Sequence, residues 1–232
     1  MAGKGKGKTN DFDRPPRQMR GQATRELRKL RINLLLGCEG TETEPNYFEG
    51  LASWLNTNGF TSPALKIERC GRNTVSLVEK FNKIALEKAS GVKSKGTYVL
   101  MDYDGNPRFD EAVRLAKQYN ITPVWSNECF ELWFYLHFVD QRTEINRQQL
   151  NDRLSEIFQR RGIVNGYQKS SKNVAELLMA HGDVKAAIER AHRLHAPVKG
   201  NPCCSECNPC TTVYELIELI FKEAGYSPSG KK

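Results

Sequence analysis

The chain has 232 residues, of which 39% are hydrophobic and 27% are charged, and its formal net charge is +8. This composition suits one α/β domain, with or without a small appendage, and excludes wholesale disorder. No apolar run approaches the roughly 20 residues of a membrane span, and the polar N-terminus lacks the hydrophobic segment of a signal peptide. We therefore expect a cytoplasmic protein that does not contact membranes.

The positive charge is concentrated at the N-terminus. Residues 1–32 hold ten Lys and Arg residues against three acids, whereas residues 33–232 hold 25 against 24. Residues 1–31 are poor in apolar side chains and include Gly-Lys alternation, which predicts a disordered basic tail. Such a tail either neutralises nucleic-acid phosphates without reading sequence or only aids solubility, and the charge pattern allows both.

Apolar runs alternate with helical patterns over residues 32–140. Strands are predicted at residues 32–38, 65–70, 96–101 and 121–125, the last near a sheet edge because Pro123 cannot donate a ladder hydrogen bond. Helices are predicted at 44–56, 73–89 (with Asn73 as N-cap), 109–119 and 128–139. This alternation predicts an α/β fold, a Rossmann-like parallel sheet flanked by helices. Residues 141–232 form a mainly helical continuation, with helices at about 146–159, 173–180, 183–195 and 211–224 and a Cys-rich loop at 201–210.

Two predicted strands end in acidic residues. Glu39 follows the first strand, and Asp102 and Asp104 follow the third. The carboxyl ends of parallel strands meet at one edge, and alternate residues of an extended chain point the same way. Carboxylate oxygens suit Mg²⁺ or Mn²⁺, so we expect these three acids to hold one divalent ion. The ordinary alternative is a turn sequence with an acid that caps the following helix.

Four segments resemble the motifs of the RloB-like family. Residues 34–51, LLLGCEGTETEPNYFEGL, resemble its first motif, and residues 98–116, YVLMDYDGNPRFDEAVRLA, resemble its D-x-D strand and following helix. SNECFELWFYLHF at 126–138 resembles its third signature, and NPCTTVYELIELI at 208–220 its C-terminal helix. The resemblance extends over most of residues 32–220.

This resemblance implies a Toprim-like fold, similar to the catalytic core of topoisomerases, bacterial primases and OLD-type nucleases. It assigns Glu39 as general acid/base or metal ligand and Asp102 and Asp104 as Mg²⁺ ligands, with Glu44 as a second acid of the same loop. It also implies a role in phage defence, often beside an ATPase partner. We expect a metal-dependent nuclease; the alternative is a non-catalytic nucleic-acid-binding or regulatory subunit of a defence complex.

Further polar residues are candidates for the site. Glu131 lies among aromatic residues, so its carboxylate is either an active-site group or one half of a buried ion pair. His137 lies six residues further along and is not on the same helix face as Glu131. Lys169 and Lys172, in GYQKSSKN, either bind a substrate phosphate or are exposed surface lysines.

Seven cysteines, an odd number in a chain of this size, indicate reduced thiols or metal ligands. The cysteine cluster consists of Cys203, Cys204, Cys207 and Cys210. Its C-x-x-C spacing suits a structural Zn²⁺ ion, for which the fourth ligand would be Cys203, His192 or His195; the alternatives are a redox-labile group of thiols and unligated cysteines. The family commonly has serine in place of Cys210. Cys38, Cys70 and Cys129 are interpreted as small buried hydrophobic residues.

Overall fold

The computed structural model describes residues 33–71, 74–89, 95–163 and 166–229. All of them belong to one compact unit, Ile32–Lys232. The predicted basic tail, residues 1–31, and the predicted N-cap Asn73 lie outside the described residues. Within the described ranges, no helix is both long and apolar enough to cross a bilayer.

The centre of the fold is a five-stranded sheet in the order β2-β1-β3-β4-β5. The strands are β1 (Asn33–Cys38), β2 (Ala64–Arg69), β3 (Gly96–Asp102), β4 (Thr122–Asn127) and β5 (Cys210–Thr211). The first four pair in parallel, which confirms the predicted α/β class, and β5 pairs antiparallel with β4. Beside Pro123, β4 has β3 on one side and no paired residue of β5 on the other, as expected for a proline near an edge.

Strand β5 was not predicted. Residue 211 was assigned to the start of the last helix, which instead begins at Val213. Thr211 is held in the sheet by its pairing with Ser126, and the two hydroxyl oxygens lie 2.9 Å apart. These partners are 85 residues apart in sequence, so no local pattern marks the strand.

Helices cover both faces of the sheet. They are α1 (Thr43–Thr57), α2 (Thr74–Ala89), α3 (Phe109–Gln118), α4 (Glu131–Leu136), α5 (Arg147–Arg160), α6 (Val174–His181), α7 (Val184–His195) and α8 (Val213–Ala224). Helix α4 is shorter than the predicted 128–139. The carbonyl oxygen of Glu128 accepts the backbone N–H of Asp104 at 3.2 Å, so it serves the loop after β3 and not a helical turn.

Alternate residues of each central strand enter different hydrophobic cores. Leu34 and Leu36 belong to one core, and Leu35 belongs to the core on the opposite face. The first core also contains residues of α1, α4, α5, α6, α7 and α8, whereas the second contains residues of α2 and α3. The helical continuation therefore packs on the same face as α1 and α4, which brings its residues to the carboxyl edge of the sheet.

Candidate active site

Parallel pairing of β1 with β3 brings the predicted acids together. Cys38 lies opposite Leu100, and the backbone N–H of Glu39 donates to the carbonyl of Leu100 at 3.2 Å. The side chain of Glu39 then turns toward the end of β3, where its Oε2 accepts the backbone N–H of Asp102 at 3.3 Å. The edge predicted from strand order is therefore where these two residues meet.

A cavity of about 250 Å³ opens at this edge. All five acids predicted as catalytic line it: Glu39, Glu44, Asp102, Asp104 and Glu131. Glu42 is a sixth carboxyl group in its wall, and the only cationic side chains among its described lining residues are Arg147 and Lys169. Negative charge therefore exceeds positive charge, which is the balance expected of a site for a cation.

Burial leaves several of these carboxyl groups poorly compensated. The pKa of Glu39 is raised from 4.5 to about 7, mainly by burial and further by the charges of Glu44 and Asp104. Burial likewise raises the pKa of Asp102 well above its usual value, and the charges of Glu44 and Glu131 raise it further. The pKa of Glu44 is raised by burial and by Glu131. A carboxyl group with a pKa of about 7, as Glu39 has, can accept and return protons, as general acid–base chemistry requires.

Gly40 allows Glu44 to fold back against the loop after β1. Its backbone N–H donates to Glu44 Oε1 at 3.3 Å, and a Cβ atom at position 40 would lie 2.2 Å from Glu44 Oε2. Glu44 is only 4% exposed, so its carboxylate depends on such close backbone contacts. Close contact with the Glu44 carboxylate therefore explains sterically why the third position of the CEG motif is a glycine.

Asp102 and Asp104 come together, but not through the strand alternation that the sequence predicted. Strand β3 ends at Asp102, and Asp104 follows in a turn with φ of +43°, beside Gly105 at +69°. Alternation along a strand therefore does not align the two side chains, but the turn returns Asp104 to the same position. One nitrogen, Nη2 of Arg147, contacts Oδ2 of both aspartates, at 3.0 Å from Asp102.

Arg147 was not identified from the sequence. It is the first residue of α5, directly after the capping box formed by Asn146 and Gln149. The capping residues mark where the helix begins, but no local pattern shows that the next side chain reaches Asp102 and Asp104, more than 40 residues earlier. Packing of α5 on the first core produces this contact.

The cavity offers carboxylate oxygens, which are the ligand atoms that Mg²⁺ and Mn²⁺ prefer. Within the described residues, no three His, Cys, Asp or Glu side chains are arranged as a metal site, and the Arg147 guanidinium lies between the two aspartates. The oxygen donors, the excess of carboxyl groups and the raised pKa values of Glu39 and Asp102 are nevertheless what a hard divalent cation would satisfy. The residues that would hold it are Asp102, Asp104 and Glu39.

Glu131 lines the cavity and also faces a cation. It is 1% exposed, its Oε1 accepts the Tyr167 hydroxyl at 3.2 Å, and Lys169 Nζ lies 3.8 Å away. Lys169 reaches the cavity because its carbonyl accepts the hydroxyl of Thr43, in the first turn of α1, at 3.3 Å. The ion pair between buried Glu131 and half-exposed Lys169 is therefore part of the cavity wall, and the fully buried ion pair considered from the sequence is not formed within the described residues.

Two other candidates lie elsewhere. Lys172 is exposed and is not among the residues that line the cavity. His137 is buried, with its ring centroid 5.1 Å from that of Trp133, and does not line the cavity either.

The cysteine cluster lies in and beside the second hydrophobic core. Cys204, Cys207 and Cys210 are buried members of that core, and burial raises the pKa of Cys204 to about 11 and that of Cys210 to about 12. His195 Nδ1 lies 3.0 Å from the Tyr214 hydroxyl. No zinc-type ligand group occurs among the residues that the structure describes, so the zinc site stays a prediction. Cys38, Cys70 and Cys129 are buried, as predicted.

Comparison with known proteins identifies the family. The model of the family described as RloB-like protein matches residues 34–220. The chain belongs to the RloB-like family. Searches among curated proteins and among solved structures found no match. The region matched in this RloB-like protein contains all the acids of the cavity together with Arg147 and Lys169.

Proposed function

We propose that this RloB-like protein is a metal-dependent nuclease that hydrolyses nucleic-acid phosphodiesters. The observation that carries the proposal is the meeting of five predicted catalytic acids in one cavity at the carboxyl edge of the sheet. Nuclease action in phage defence with an ATPase partner, which the family resemblance implies, belongs to the same proposal. The ten basic residues within residues 1–32 support nucleic acid as the substrate.

Different residues of the cavity would carry out different parts of phosphodiester hydrolysis. Asp102, Asp104 and Glu39 would hold Mg²⁺ or Mn²⁺, and a bound ion supplies Lewis-acid stabilisation of the phosphoryl oxygens. The alternative role of Glu39 is that of general acid/base: where Asp102 and Asp104 alone hold the ion, Glu39, whose pKa in the metal-free site is about 7, is suited to move a proton during attack by water. Lys169, whose side chain is 53% exposed at the cavity, contributes positive charge toward a phosphate.

Nuclease assays with purified full-length protein test the proposal. Single- and double-stranded DNA and RNA are incubated with Mg²⁺, Mn²⁺ or EDTA, and cleavage is followed on gels. Asp102→Asn and Glu39→Gln should each lower the rate by about 100-fold or more, because general acid–base groups and metal ligands contribute at least that much. Glu156→Gln, at an exposed position of α5, is the matched control and should cleave as the wild type does.

One observation favours a second function. Arg147 occupies the position between Asp102 and Asp104, an arrangement that offsets part of the negative charge of the pair without a metal ion. A regulatory subunit that binds nucleic acid without cleaving it would keep this arrangement. Oligonucleotide binding that does not depend on metal, measured by fluorescence anisotropy, would favour this function over the nuclease if no oligonucleotide is cleaved with Mg²⁺ or Mn²⁺ present.

A further inference from the structure

Arg147 is placed as a cation substitute. Its Nη2 atom is shared by the two aspartate side chains that the nuclease proposal assigns to the metal. The Asp102 side chain is 13% exposed and that of Arg147 is 31% exposed, so the contact is partly screened from water. Charge-assisted hydrogen bonds of this kind are among the stronger ones in proteins.

The hydrogen bonding of the Arg147 guanidinium is incomplete. Its Nε atom is buried and has no hydrogen-bond partner within the described part of the chain. A buried donor without a partner costs free energy, which makes this position of the side chain less favourable than the two aspartate contacts suggest. The arginine is thus held chiefly through Asp102 and Asp104.

Oδ2 of Asp102 and Oδ2 of Asp104 both contact the arginine, so a divalent ion held by the same two carboxylates would compete with it. A cation held there would also repel a guanidinium that stayed in contact with the pair. Once displaced, the guanidinium would remain beside the cavity, because α5 is anchored in the first core through Leu150 and Leu154. Its planar donors match the geometry of phosphate oxygens.

We propose that Arg147 is a phosphate-binding residue that Asp102 and Asp104 retain until a divalent ion displaces it. The inference rests on the proposed function, and it assigns Arg147 two states. Without metal, the guanidinium offsets part of the negative charge of Asp102 and Asp104; with metal, it binds a phosphodiester oxygen of the nucleic acid. Loading of the ion and capture of the substrate backbone are thereby coupled through one side chain.

Metal affinity tests the first state. Mn²⁺ binding to the full-length protein is measured by calorimetry and by electron paramagnetic resonance for the wild type, Arg147→Gln, Arg147→Lys and the control Arg160→Gln. Arg160 lies on the same helix with an 81% exposed side chain. Arg147→Gln should bind Mn²⁺ about 10-fold more tightly, because charge-assisted hydrogen bonds no longer compete for the carboxylates. The Mn²⁺ affinity of Arg147→Lys should lie between those of the wild type and Arg147→Gln, and that of Arg160→Gln should equal that of the wild type.

Oligonucleotide affinity tests the second state. The wild type and Arg147→Gln are compared by fluorescence anisotropy with a labelled phosphorothioate oligonucleotide that resists cleavage, so that hydrolysis does not interfere and the acids assigned to the metal stay intact. With Mn²⁺, loss of Arg147 should weaken binding and reduce the slope of log affinity against log salt by about 1. With EDTA, the two proteins should bind equally, since the arginine is then engaged by the aspartates.

The outcomes separate the inference from the proposal on which it rests. A wild-type protein that binds no Mn²⁺ overturns the nuclease proposal and the inference with it. Mn²⁺ binding that is unchanged or weaker in Arg147→Gln overturns the inference alone, as does an equal loss of oligonucleotide affinity with and without metal. If Arg147→Gln fails to fold by circular dichroism, Arg147→Lys decides the same comparison.

Discussion

Substitution of Glu39 by glutamine should stabilise the metal-free protein at pH 8. Burial raises the pKa of Glu39 from 4.5 to about 7 in the folded state. The folded state therefore holds its proton more tightly than the unfolded chain does, and folding stability falls as the pH rises from about 4.5 to 7. Glutamine is neutral throughout and its side-chain oxygen can still accept the Asp102 N–H that Glu39 accepts now.

The size of this stabilisation follows from the shift in the pKa of Glu39. Each pKa unit corresponds to about 1.4 kcal/mol, so a shift from 4.5 to about 7 sets an upper limit of about 3.5 kcal/mol. Glu39 is only partly buried, and solvent screening reduces this to about 2 kcal/mol. Asp102 and Glu44 have pKa values raised in the same direction, so the wild-type protein should lose further stability over the same change of pH.

Urea denaturation in EDTA at pH 5, 6, 7 and 8 measures this directly. The free energy of unfolding of Glu39→Gln should nearly equal that of the wild type at pH 5 and exceed it by about 2 kcal/mol at pH 8. Glu156→Gln, at an exposed site, should show no such pH-dependent difference. Addition of Mg²⁺ at pH 8 should stabilise the wild type more than Glu39→Gln, because a cation favours the ionised carboxylates. A constant difference between Glu39→Gln and the wild type from pH 5 to 8 would refute the reasoning.

Three further predictions concern packing and metal content. Gly40→Ala should lower the nuclease cleavage rate at least 10-fold and the free energy of unfolding in urea by about 1–3 kcal/mol. The reason is that a Cβ atom at position 40 would clash with Oε2 of Glu44. Trp133→Phe should lower the free energy of unfolding by about 1–3 kcal/mol, because the indole N–H donates to the buried Tyr47 hydroxyl at 2.8 Å; unchanged stability would show that this hydroxyl finds another partner. If the cysteine cluster holds structural zinc, elemental analysis of purified protein should find about one Zn²⁺ per chain, and less than about 0.2 would exclude the site.

The strands and the acidic edge were predictable because their determinants are local. An apolar run followed by Glu39, and a second followed by Asp102, mark two buried strands by residues that are adjacent in sequence. The rule that parallel strands place their carboxyl ends at one edge then brings distant acids together without knowledge of side-chain positions. Parallel pairing of β1 and β3 confirmed this inference.

The C-terminal part was less predictable, since its details depend on partners far away in sequence. Helix α5 was expected near residue 146, but the reach of Arg147 to two aspartates depends on how that helix packs. The same holds for β5, whose two residues form a strand only because Ser126 and Asn127 lie beside them. Lys169 lines the cavity and Lys172 does not, although both lie in one short polar segment.

By itself, the order of apolar and acidic residues determined which side chains gather at the edge of the sheet, because strand polarity and burial act on neighbouring residues. Only the tertiary structure decided which cation faces them. Helix α5 enters the same hydrophobic core as α1 and α4, and this packing carries Arg147 to Asp102 and Asp104. The negative charge of the candidate site is therefore partly offset by a residue whose position depends on long-range packing and not on any motif.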